Sequence, residues 1–207
     1  MIRQVRDAVR SDNTKSISGQ LAAYSIVGIG CWSLASVGIA IDDEGPSYSY
    51  YVVTAVPDRA LRSILNAASP IHHDGKVFFG NTDWHVQWNM WWSEQPRGSC
   101  KITRVEAKIS GTILLPKIVN ATEAQRNRFD TLAAALRVHE LGHYDIGKKA
   151  AADIESGILA MPPMDTCAAL KAAADELATE TLDEYRAVER KYDADTDHGR
   201  TQGAWLD

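Results

Sequence analysis

The chain has 207 residues, enough for one ordinary domain plus a short extra segment. Its 45% hydrophobic and 24% charged residues are those of a globular protein, and no internal repeat or low-complexity tract points to a fibre or solenoid. A formal net charge of −5 argues against a nucleic-acid partner.

From Leu21 to Ile41 no residue is charged, and Arg3, Arg6, Arg10 and Lys15 precede that run. About 21 apolar residues can span a bilayer. A basic stretch followed by an apolar one is also the plan of a secretory signal, and Gly38 and Ala40 permit cleavage after Ala40. Residues 1–41 are therefore expected to be a signal or a membrane-spanning anchor, with membrane contact through 21–41 if uncleaved. The basic side stays in the cytoplasm and the rest is exported, to the periplasm or beyond. Residues 42–47 read as a polar linker and 48–207 as one domain. In an oxidising compartment Cys100 and Cys167 are expected to form a disulfide, since no other cysteine follows the apolar run.

The domain reads as α+β. Tyr48 to Ala55 is rich in Tyr and Val and predicts a strand; after Pro57-Asp58 a short helix carries Leu61, Ile64 and Leu65 on one face. Between Asp83 and Trp92 the chain alternates, with Trp84, Val86, Trp88, Met90 and Trp92 on one side. Two further strands are expected at Lys101 to Ile109 and Thr112 to Leu115, joined near Ser110-Gly111 and ended by Pro116. Residues 48–118 thus form a small, mostly antiparallel sheet, and 121–207 a helical half. Thr122 and Gln125 fit a capping box for a helix running to about Met161, where Pro162-Pro163 stop it. Asp165 or Thr166 can cap a second helix to about Tyr192, completing a long antiparallel helical hairpin.

The first of these helices contains His139-Glu140-Leu141-Gly142-His143, an H-E-x-x-H pentad. Residues four apart stand above one another on a helix, so both imidazoles can reach one Zn²⁺ while Glu140 acts on a metal-bound water. All three project onto the apolar face formed by Phe129, Leu132, Leu136, Ile154 and Ile158, where unpaired polar groups are costly. Two histidines at i and i+4 around a glutamate are better explained by a metal than by packing.

The third ligand has two candidates. An antiparallel hairpin turning near 161–165 places His143 level with residue 183 and His139 level with 187, which nominates Glu184. The rival is His198, in a Gly-containing tail short enough to fold back over the metal. Asp145 is a candidate to orient a ligand imidazole, and Tyr192 or Tyr144 to assist an oxyanion.

With these residues in view, the chain resembles a bacterial family catalogued as domain-of-unknown-function family 922, whose members are described as predicted secreted zinc-dependent proteases. The resemblance rests on Trp84-x-Val86-x-Trp88, on Cys100 and Cys167, and on the pentad continued by Asp145-Ile146. It extends to Tyr192-Asp193-x-x-Thr196-x-His198-Gly199 with Gln202-Gly203-Ala204. It covers roughly 48–206, and its tail motif favours His198 as third ligand. The expectation is an exported zinc hydrolase, a metallopeptidase acting on a peptide or protein substrate with Glu140 as general base. The alternative is a non-catalytic, zinc-stabilised envelope binding module using the tryptophan-rich strand.

Overall fold

The computed structural model describes residues 45–95 and 98–206, so the expected signal or anchor over 1–41 lies outside the described residues. Among these, no helix is long and apolar enough to cross a membrane. The elements run β1 (Ser47–Thr54), α1 (Leu61–Ala68), β2 (Ile71–His73), β3 (Lys76–Phe78), β4 (Asn81–Glu94), β5 (Cys100–Val119), α2 (Glu123–Leu159) and α3 (Cys167–Thr196). A 3-10 turn, Arg200–Gln202, follows. The fold is α+β, as expected.

The main sheet is mixed rather than mostly antiparallel, with strand order β1-β5-β4. β4 and β5 pair antiparallel across a short loop, whereas β1 pairs parallel with β5. Residues 55–80, including α1 and the β2–β3 hairpin, carry the chain from one edge to the other, a connection long enough for a parallel pair. The second correction concerns β5, a single 20-residue strand that runs through both expected breaks. Pro116 is tolerated because β4 pairs with β5 only as far as Leu114, so one side of the strand carries no ladder there. Gly111 marks a close approach rather than a turn: a Cβ there would stand 2.9 Å from the Tyr144 ring on α2.

The alternation of β4 places Trp84 and Met90 in the core, with Val86, Trp88 and Trp92 packed against core residues. One cluster joins Met90, Ile102 and Val105 of the sheet to Ile154 and Ile158 of α2 and to Leu170, Ala174 and Ala178 of α3. A second holds Leu61, Ile64 and Leu65 of α1 with Val53, Phe129 and Leu132. The capping box forms as read: Thr122 accepts from the Gln125 backbone N–H, and Gln125 reaches back to the Thr122 N–H. Thr166 caps α3, accepting from Ala169 N.

Cys100 and Cys167 are disulfide-bonded across 67 residues of sequence. Next to this bond, Met164 and Cys100 exchange backbone hydrogen bonds of 2.7 and 2.9 Å. The connection between the helices is therefore tied to β5, and the hairpin register differs from the expected one. Gly157 approaches Leu177, Asp153 binds Tyr185, and Gly142 approaches Tyr192. At these contacts α2 meets α3 about two turns further along than a symmetric hairpin would place it.

Candidate metal centre

His139, Glu140 and His143 project from one face of α2, and the first two are 4% exposed. His139 Nδ1 lies 2.9 Å from Gln202 Oε1, and its Nε2 lies 3.3 Å from Asp193 Oδ1. His143 repeats the plan: Nδ1 is 3.5 Å from Glu189 Oε1 and Nε2 is 3.1 Å from the same Asp193 oxygen. In both rings, Nδ1 faces an acceptor and Nε2 faces Asp193. One nitrogen from each ring and a carboxylate oxygen of Asp193 lie within 4.8 Å of one another.

This donor set fits a metal ion. Two imidazoles and a carboxylate are zinc ligands in kind and number, and an acceptor on the far nitrogen is what orients a ligating imidazole. A second group of potential donors, Glu94 with Cys100 and Cys167, offers no thiolate because its sulfurs are bonded to each other.

Glu140 stands beside this group and is gripped from the sheet. The Thr82 hydroxyl lies 2.7 Å from Glu140 Oε2 and 2.9 Å from its backbone carbonyl. Gly80 supplies the room, since a Cβ at that position would overlap Glu140 Oε1. Gly142 does the same for Tyr192, whose ring stacks on His139 at 5.1 Å. The Tyr192 hydroxyl donates to the His139 carbonyl at 3.2 Å and accepts from Gln202 Nε2 at 3.0 Å.

Burial raises the Glu140 carboxyl above its ordinary range, against the Thr82 bond and the nearby histidines, which pull it down. Burial lowers His143, but its contacts with Asp193 and Glu189 outweigh that and push it up to about 9. Burial likewise raises Asp193, yet the bonds from His139 and His143 hold it well below the usual carboxylate range. The two shifts describe one charge pair, Asp193 with His143.

The expected third ligands fare differently. Glu184 is exposed on α3 and outside the group; the two-turn shift in register brings Glu189 and Asp193 to the level of the pentad instead. His198 is at the rim, 43% exposed, with Nδ1 3.5 Å from Asp193 Oδ1 and its ring 4.9 Å from that of Phe78. It reaches Asp193 without joining the three-residue group. The tail does fold back, through left-handed Asp197 and His198 followed by Gly199. Ala204 then packs in the cluster of Leu136, and Leu206 in that of Phe129. Asp145 is exposed, two residues round the helix from His143, and Glu189 rather than Asp145 faces that ring. Tyr144 is a core residue against Gly111, whereas Tyr192 lies beside His139.

Asp193, Glu189, Gln202 and Thr82 were not singled out by spacing. Asp193 and Gln202 stand in the tail motif, and Glu189 and Asp193 are four apart on one helix, the same signal that marks the two histidines. A family model described as "Bacterial protein of unknown function (DUF922)" matches residues 48–199. No curated protein and no solved structure matches the chain.

Proposed function

The chain belongs to the DUF922 family of bacterial proteins of unknown function, and on that premise we propose that it is an exported zinc-dependent hydrolase acting on peptide or amide bonds. One observation carries the reading: His139, His143 and Asp193 converge within 4.8 Å beside a buried glutamate of the same pentad. His139 and His143 would hold the ion, with Asp193 as third ligand in preference to His198, because one Asp193 carboxylate oxygen faces a nitrogen of both rings. Three protein ligands suit a catalytic rather than a closed structural site.

Zinc bound there supplies a Lewis acid that acidifies water and polarises a carbonyl. Glu140 is the general base, taking a proton from the attacking water and passing it to the leaving amine. Thr82 fixes the base by bonding one of its oxygens, and burial raises its proton affinity in the direction such a role needs. Gln202 and Tyr192 hold the His139 ring from its far nitrogen and its face. The Cys100–Cys167 bond supports an oxidising compartment, in line with export through 1–41.

The second reading, a zinc-stabilised binding module, is favoured by the nearness of His198 to Asp193: a fourth protein ligand would close the site. Glu140→Gln separates the two. The hydrolase reading expects this variant to keep its zinc and lose at least about 100-fold in cleavage of an unfolded protein substrate. Zinc-loaded parent without cleavage, or a variant as active as the parent, would overturn it.

A further inference from the structure

We propose that Glu189 is a positioning residue of the metal centre, aimed at His143 by Trp84. The inference rests on the zinc reading above and adds the device that fixes one of its ligands. Trp84 Nε1 donates to Glu189 Oε1 at 2.7 Å, and that same oxygen lies 3.5 Å from His143 Nδ1. The relay therefore links β4, α3 and α2 through one carboxylate oxygen.

Folding alone gives little reason for a carboxylate here. Glu189 is 3% exposed, and its other oxygen, Oε2, is buried without a hydrogen-bond partner among the described residues. A buried charge left partly unpaired is costly, and apolar or neutral replacements of such groups are often neutral or stabilising. What the carboxylate does accomplish is local to His143. An anionic acceptor at Nδ1 would keep the proton on that nitrogen when Nε2 gives up its own, so the Nε2 lone pair would be directed at the ligand group, where Asp193 Oδ1 stands 3.1 Å away.

The two histidines are held by different means. His139 has a neutral amide acceptor, Gln202, supplied by the tail; His143 has a charged one supplied from within the helical pair. Trp84 makes the second arrangement rigid. Its indole is wedged against α2 so closely that a Cβ on Gly147 would stand 2.6 Å from it. The indole cannot turn away, so Oε1 is kept facing the ring.

The test uses the full-length chain, with zinc affinity measured by competition with a chromophoric chelator and ligand geometry by the visible spectrum of the cobalt(II)-loaded protein. Glu189→Gln keeps the shape and an acceptor for Trp84 but removes the charge. It is expected to weaken zinc binding about 10-fold or more and to alter the cobalt spectrum, while the metal-free protein melts no lower than the parent. Trp84→Phe should weaken binding in the same direction, and the double variant no further than the weaker single, because both changes break one relay. Parental zinc affinity with an unchanged cobalt spectrum in Glu189→Gln would overturn the proposal. Should that variant fail to fold, unchanged affinity in Trp84→Phe would do so. A parent that binds neither ion would instead remove the metal reading, and this inference with it.

Discussion

Replacing Gly80 with alanine tests whether Glu140 is held in a single position. A Cβ at Gly80 would overlap Glu140 Oε1 and stand 3.0 Å from both its Cγ and its Cδ. Three consecutive atoms of one side chain are met, so rotating the tip gives no relief. Glu140 must swing at Cγ, which breaks the 2.7 Å bond from the Thr82 hydroxyl where the residue is 4% exposed and little water can replace it. Overpacking costs about 1–3 kcal/mol, and a stranded buried carboxylate oxygen about 1–3 kcal/mol more. Stiffening of the unfolded chain returns about 0.4–1 kcal/mol, since Gly80 is outside the left-handed region and alanine fits its backbone. A net loss of about 1–5 kcal/mol remains. With a urea slope of about 2 kcal/mol per M, the midpoint should fall by about 0.5 M or more. Zinc content should be unchanged, because the three atoms nearest the new methyl all belong to Glu140. Hydrolysis should fall with the displaced base. A variant with the parental urea midpoint and parental activity would refute this account of the base.

Two other outcomes follow from the same geometry. Asp193→Asn should lose most of its zinc while His198→Ala retains most of it, since one Asp193 oxygen faces both pentad rings whereas His198 lies at the rim beside Asp193 and Phe78; metal content after dialysis decides, and the opposite order would favour His198 as ligand. Opening the Cys100–Cys167 bond, by Cys100→Ser with Cys167→Ser, should cost about 4 kcal/mol for a loop of this length, read as a lowered urea midpoint. An unchanged midpoint would mean that the backbone pairing of Cys100 with Met164 suffices to tie the helices to the sheet.

Local chemistry in the sequence predicted the elements well. Thr122 and Gln125 form the capping box, Pro162-Pro163 lie just past the end of α2, and the alternation from Trp84 to Trp92 is that of a strand on a helix-covered face. Breaks at Gly111 and Pro116 were misleading because both residues answer to neighbours far away in sequence: Tyr144 in one case, the end of the β4 ladder in the other. The parallel pairing of β1 is equally non-local, set by where residues 55–80 return the chain.

In the site, the pentad was legible because its spacing carries its geometry. The carboxylates that face the pentad were not, because helical spacing does not give the offset between two helices. That offset depends on a seven-residue connection held to β5 through Met164 and Cys100. Shifted by about two turns, α3 presents Glu189 and Asp193 where Glu184 was expected. Thr82 and Gln202 were hidden for the same reason, since each comes from an element remote in sequence and bonds to the pentad only once the sheet and tail are in place.

The most direct test of the central claim is the metal content of the full-length chain, purified without chelators and measured by elemental analysis beside a His139→Ala, His143→Ala double variant. The account predicts one zinc per chain in the parent and none in the variant. A parent that neither contains stoichiometric zinc nor takes it up when zinc is added would contradict it.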